Sequence, residues 1–228
     1  MPAYCYLHGF ASSPASRKAQ YLLSQFQALG QDLAILDLNQ GDFAQLTLSR
    51  QIKQGVAWSV AQSDSVVVIG SSFGGLTAAW LAEQPRVRIQ KLVLLAPAFQ
   101  FLAQWLPRLG ESQLTRWQTD GTLPIFHYGQ NQMVPLHYGF IADAQTYNED
   151  QLRAEIPTLI LHGRQDEVIN VQASRDYAAG RSWVELVELE DVHSLLATQD
   201  QIWPVIQAWL GLEDFPSESA MVPLQGSQ

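Results

Sequence analysis

The stretch SVVVIGSSFGG, Ser65 to Gly75, decides how the rest of this chain is read. Ser65 is followed by Val66, Val67, Val68 and Ile69, all β-branched, a run too short and too apolar for a surface helix and suited to a buried strand. The run ends at Gly70, and Gly70-Ser71-Ser72-Phe73-Gly74 fits G-x-S-x-G, a sharp turn from strand to helix with Ser72 at its tip. Glycines two before and two after the serine suit a backbone so strained that a Cβ finds no room. The following LTAAWLA, Leu76 to Ala82, reads as a helix packed on the sheet. Its first N–H groups, which no helical carbonyl can satisfy, then lie beside Ser72, where an oxyanion would be stabilised.

The 228 residues suffice for one domain with a full core, with or without an insertion. Hydrophobic residues at 47% against 15% charged fit a compact enzyme and argue against long disorder. A net charge of −9 makes nucleic acid and anionic membrane surfaces poor partners. Cys5 is the single cysteine, which rules out an intramolecular disulfide and fits a reducing compartment. Met1-Pro2 runs directly into a strand with no basic leader, and no apolar stretch is long enough to cross a bilayer. The expectation is a cytoplasmic protein, monomeric or homodimeric. From Glu213 onward, EDFPSESAMVPLQGSQ mixes Pro, Ser, Gly and Gln without period and reads as a flexible tail.

Strands are expected at residues 3–7, 33–38, 65–69, 91–95, 157–162 and 183–189. Between them, Ser13-Pro14 reads as a cap and first helical position for a helix ending near Gly30. Further helices are expected at residues 46–61, 171–179 and 202–210. Such alternation implies a parallel sheet covered on both faces. Residues 98–151 break the rhythm, carrying Phe99, Phe101, Trp105, Trp117, Phe126, Tyr128, Tyr138 and Phe140 among prolines and glycines. Residues 123–128 and 133–140 pair as a hairpin across Gly129-Gln130-Asn131-Gln132. An insertion of this length after a central strand reads as a lid over Ser72 that carries an apolar substrate wall. A small satellite core serving only the insertion is the other reading, and the two are compatible.

A serine hydroxyl needs a base, and the base needs a partner that fixes its tautomer. Of the five histidines, His193 lies in the loop of ELEDVHSLL, after the last strand. His162 ends the fifth strand, with Asp166 four residues on in LHGRQDEVI. Ser72, Asp166 and His193 therefore all follow strands, at the edge where open α/β sheets hold their ligands. Asp166 has a second reading as a turn residue after Gly163, and Glu167 is a neighbouring carboxylate. Asp191, two residues from His193, is poorly spaced to orient that ring. His127 and His137 read as surface or pocket-wall residues of the insertion, and His162 as a brace for its loop. Oxyanion donors are expected at the backbone N–H of Phe73 and of Phe10, where Gly9 permits close approach. The chain has no H-E-x-x-H, no paired cysteines and no calcium loop, so no metal is expected. The glycines at 70, 74 and 75 match neither a phosphate loop nor a dinucleotide fingerprint, so no cofactor is expected.

On these residues the chain resembles the α/β-hydrolases. More narrowly, it is similar to the small YqiA-like esterase family in YLHGFASSPASRKA (residues 6–19), GSSFGG (70–75), LLAPA (94–98), LHGRQDEVI (161–169) and the Asp191-Val192-His193 loop. The resemblance implies an α/β-hydrolase fold, expected over residues 1–212 as a mostly parallel six-stranded sheet with helices on both faces; the lid insertion, read from the sequence pattern at residues 98–151, matches the family less well. It makes Ser72 the nucleophile, Asp166 the acid and His193 the base, without a cofactor. The implied activity is hydrolysis of a small-molecule ester, expected to proceed through an acyl-enzyme, and the aromatic insertion favours an apolar acyl or alcohol group. Two alternatives share the fold. One is an acyl thioesterase, although the acidic chain offers no obvious basic cluster for a coenzyme A phosphate. The other is a catalytically idle binder of a small ligand.

Overall fold

The computed structural model describes residues 2–212. Six strands form one sheet: β1 (Ala3–Leu7), β2 (Leu33–Leu36), β3 (Val66–Ser71), β4 (Ile89–Leu95), then β7 (Thr158–Gly163) and β8 (Val184–Leu189). Between β4 and β7 in the chain, β5 (Thr122–His127) and β6 (Gln132–His137) make a separate antiparallel hairpin. The sheet order is β2-β1-β3-β4-β7-β8, and every neighbouring pair is parallel.

Side-chain alternation sorts each strand into two cores. Tyr4, Tyr6, Val67, Ile69, Val93, Leu95, Leu159 and Leu161 pack on one face, against α1 (Arg17–Ala28) and α8 (Gln199–Leu210). Cys5, Leu7, Val66, Val68, Leu92, Leu94 and Ile160 pack on the other, against α2 (Leu48–Val60) and α3 (Phe73–Ala82). Helix α3 is buried from Phe73 to Leu81, which explains why LTAAWLA has no polar stripe. It lies between the sheet and α2, so every side of it needs an apolar surface. Among the described residues no helix is long and apolar enough to cross a membrane.

The six expected strands are present, β1 with the expected bounds and the others with an end shifted by at most two residues. β2 stops at Leu36 because the Leu38 N–H donates to His8 Nε2 at 3.0 Å and the Asn39 N–H to Asp37 Oδ1 at 3.1 Å, which turns the chain away. Helix α1 begins at Arg17, three residues later than Ser13-Pro14 implied. Asn39 holds the Ser12 carbonyl at 2.7 Å and the Ser16 N–H closes a turn on Ser13 O at 3.1 Å, so residues 13–16 are used before the helix starts. In the insertion the hairpin is present, flanked by helices that local pattern did not reveal: α4 (Phe101–Leu109), α5 (Glu111–Asp120) and α6 (Gly139–Ala144). α7 (Val171–Ala178) joins β7 to β8. The tail expected at residues 213–228 lies outside the described residues.

Candidate active site

Ser72 joins β3 to α3 at φ 53° and ψ −119°, a conformation that L-residues rarely adopt. The turn is held from both sides. Its N–H donates to Leu95 O at 2.9 Å, and its carbonyl accepts from the N–H groups of Gly75, Ala98 and Leu76 at 2.8, 3.0 and 3.2 Å. A Cβ on Gly70 would collide with the Gly74 carbonyl, and one on Gly74 with the Leu7 carbonyl. The glycines flanking the serine are there because backbone passes where a side chain would be.

Asp166 and His193 converge on that serine. His193 Nε2 lies 2.9 Å from Ser72 Oγ, and His193 Nδ1 lies 2.7 Å from Asp166 Oδ2. The Asp166 side chain is fully buried, and its Oδ1 accepts the N–H groups of Val168 and Ile169 at 2.8 and 2.7 Å. His162 Nε2 stands 3.0 Å from Asp166 Oδ2 and 3.0 Å from Ile169 O, while its Nδ1 meets Ser174 Oγ at 2.7 Å. Both Nε2 neighbours are acceptors, so the ring carries its proton there and the Ser174 hydroxyl donates to Nδ1. Burial works against ionising Asp166, but hydrogen bonds from His162 and His193, the charge interaction with His193 and the Ile169 amide outweigh it. The carboxyl is held well below the usual carboxylate range.

The loops carrying the acid and the histidine are fastened to each other. The Arg164 N–H donates to Leu189 O at 2.8 Å and the Gln165 N–H to Asp191 O at 3.0 Å; a Cβ on Gly163 would collide with that same Asp191 carbonyl. Asp191 closes the histidine loop by accepting the Val192 N–H at 2.8 Å and both the N–H and the hydroxyl of Thr198 at 2.8 Å. It organises the loop and leaves the imidazole to Asp166. The neighbouring Glu167 meets the His193 backbone, its Oε2 3.3 Å from the N–H.

The N–H groups of Phe10 and Phe73 donate to no protein acceptor among the described residues. Their rings lie 6.2 Å apart and share neighbours from the insertion. Phe140 stands 5.2 Å from Phe10 and 5.4 Å from Phe73, and Phe101 at 6.1 and 5.0 Å. His8 fixes the same loop: its Nε2 accepts from Leu38, so Nδ1 carries the proton and donates to Gly9 O at 2.9 Å. Burial holds His8 below the ordinary imidazole range, which keeps this neutral tautomer.

A cavity of about 610 Å³ opens in front of Ser72 and His193, bordered by Tyr6, Phe10, Lys18 and Tyr128 among others. The insertion contributes Tyr128 and Gly129 to it. The other aromatics expected to wall it pack elsewhere: Trp117 and Phe140 are fully buried, and Trp117 Nε1 donates to Leu136 O at 2.8 Å. Most of them pack neither as a cavity wall nor as a core of the insertion alone: Phe99, Phe101, Trp117 and Phe140 join the core of the sheet with Phe43 and Phe73. His137 is exposed, whereas His127, expected on a surface or pocket wall, is fully buried edge-on to Phe43 at 4.8 Å. The structure brings Ser72, Asp166 and His193 together, with Phe10 and Phe73 beside the serine. Neither the bracing by His8 and Phe140 nor the position of Lys18 at the cavity is foreseen from the sequence, although HGFASSPASRK sets a histidine beside the loop glycine and a basic pair in an acidic chain. No group of three or more His, Cys, Asp or Glu among the described residues is arranged to hold a metal ion.

Among solved structures, alpha/beta hydrolase domain-containing protein 10 from mouse superposes with a TM-score of 0.77, at 19% identity over 92% of this chain and 90% of that one. Est1E from Butyrivibrio proteoclasticus with bound ferulic acid gives 0.73 at 20% identity, over 92% and 90%. The monoacylglycerol lipase of Paleococcus ferrophilus gives 0.73 at 15% identity, over 92% and 96%. At such identities the likeness is one of fold. No curated protein matches the chain in sequence. A family model does, from residue 3 to residue 209, a span that takes in every strand of the sheet, the serine turn and both loops facing it. The chain therefore belongs to the uncharacterised protein family UPF0227, and it has the fold of the α/β-hydrolase structures it superposes on.

Proposed function

We propose that this chain is a serine hydrolase that cleaves carboxylic esters through an acyl-enzyme. The observation that carries the reading is the unbroken path from Asp166 Oδ2 through His193 to Ser72 Oγ, at 2.7 and 2.9 Å, beside an open cavity. The ionised Asp166 accepts a hydrogen bond from Nδ1–H, which keeps the proton on Nδ1 and leaves the Nε2 lone pair facing the hydroxyl. Nε2 takes the Ser72 hydroxyl proton as Oγ bonds to the ester carbonyl carbon, whose π electrons move onto oxygen. The N–H groups of Phe10 and Phe73 would donate to that oxygen; a donor of this kind is worth about 10²–10³ in turnover. Collapse breaks the bond to the alkoxy group, and the Nε2 proton leaves with the alcohol. Water attacks the acyl-enzyme by the same route, releases the carboxylic acid and restores Ser72.

Two neighbours agree with ester cleavage: one is a monoacylglycerol lipase, and another holds ferulic acid, a carboxylic acid. The test is fluorophosphonate labelling together with hydrolysis of 4-nitrophenyl butyrate. Labelling at Ser72 is expected, and Ser72→Ala should lose the label and lower kcat by about 10⁶. A variant that keeps most of its turnover, or a label on another residue, overturns the proposal.

A further inference from the structure

Lys18, in the first turn of α1, borders the same cavity as Ser72 and His193, and the reaction above does not use it. Six other cationic side chains, those of Arg17, Lys53, Arg86, Arg108, Arg116 and Arg153, also make no side-chain hydrogen bond or ion pair among the described residues. All six are exposed; Lys18 is not. Its remaining exposure is into a concave space crowded by protein, and this dehydration pushes its ammonium down to about 8. Asp166 and Asp191 favour the charged form from a distance, yet neither comes within ion-pair range.

An ammonium that has lost water without gaining an acceptor is costly, and beside a reactive serine the missing acceptor can belong to a ligand. The chain's charge of −9 repels anions at long range, so one would dock only where a local cation receives it. Arg17, exposed at the same cavity, adds a second positive charge, and Ser12 and Ser13 also border that cavity. We propose that Lys18 binds an anionic group of the substrate, so that the ester taken by this cavity carries a carboxylate or a phosphate besides its scissile carbonyl. The inference rests on the esterase reading of Ser72 and adds the substrate class to it.

Two matched pairs of esters test it. In the first, 4-nitrophenyl hydrogen glutarate is compared with 4-nitrophenyl methyl glutarate, which puts the anion on the acyl side. In the second, butyryl glycerol phosphate is compared with butyryl glycerol, which puts it on the leaving group. At pH 7 the wild type should favour the charged member of one pair by about 10- to 100-fold in kcat/KM, mostly through KM, as expected for a charge-assisted hydrogen bond. Lys18→Met should erase the preference and Lys18→Arg should keep most of it; the pair that responds identifies the source of the anion. A wild type without preference in either pair, or a preference that survives in Lys18→Met, overturns the proposal. If the wild type cleaves none of the four, the esterase reading fails by itself. Calorimetric titration of monomethyl glutarate and inorganic phosphate into wild type and Lys18→Met then decides: binding lost in the variant upholds the anion site, and equal or absent binding overturns it.

Discussion

Replacing Lys18 by Met should make this protein more stable. The ammonium is dehydrated and has no partner of its own, whereas Met keeps the length and packing of the stem and carries no charge. The fall from 10.5 to about 8 sets the scale. At about 1.4 kcal/mol for each tenfold change in proton affinity, the ceiling is about 3 kcal/mol. Water in the open cavity screens part of this, leaving about 1–2 kcal/mol. The pH dependence has a definite sign. The folded Lys18 releases its proton more readily than the unfolded one, so between pH 8 and 10.5 the unfolded chain holds more protons and wild-type stability rises with pH. The advantage of Met is therefore full below pH 8 and fades as pH climbs toward 10.5. Urea denaturation followed by tryptophan fluorescence at pH 7 and pH 10 reads both quantities. With a slope of about 1–3 kcal/mol per molar urea, the midpoint at pH 7 should rise by about 0.5–1 M. A variant no more stable than wild type at pH 7, or one whose gain is the same at both pH values, would show that the ammonium is well solvated.

Asp166→Asn should keep the fold and lower kcat by about 10⁴, since an amide no longer fixes the histidine tautomer; a loss of less than tenfold would remove Asp166 from the relay. Because folding holds the Asp166 carboxyl below the usual carboxylate range, it contributes stability above about pH 4 that disappears as pH falls further. Acid titration followed by circular dichroism should accordingly be steeper for wild type than for Asp166→Asn. Phe140→Ala should cost about 3–5 kcal/mol and also reduce kcat at least about tenfold, because the ring touches both Phe10 and Phe73. Phe140→Leu should recover most of that turnover, and a kcat indifferent to the truncation would mean that the cluster does not hold the two amides.

Legibility followed the range of the interactions. The central strands could be read because they are buried on both faces, so aliphatic residues follow one another, as in Val66 to Ile69 and Leu92 to Leu95. The serine turn could be read because two backbone collisions demand glycine at fixed offsets. The start of α1 could not. The contact that delays it, Asn39 to Ser12, joins residues far apart in sequence, and Ser13-Pro14 by itself satisfies every local rule for a helix start. The insertion was opaque for a related reason. Its aromatics are spaced for a core formed with Phe10, Phe43 and Phe73 from outside the segment, and from the segment alone a pocket wall and a packed cluster look the same.

That cluster explains why one short segment can serve two purposes. From His8 to Lys18 the chain crosses the rim of the sheet between an aromatic core and an open cavity. On the core side, Phe10 is wedged against rings of the insertion, and His8 pins the Gly9 carbonyl, so the amide that follows is held still without a hydrogen bond of its own. On the cavity side, Ser12, Ser13 and Lys18 face the space in front of Ser72. Rigidity in the first half is what would make a charge in the second half selective: an ammonium on a mobile loop would follow its ligand or find a carboxylate of its own. Fixed at the start of α1 out of ion-pair reach of Asp166 and Asp191, it can be satisfied only by what enters the cavity.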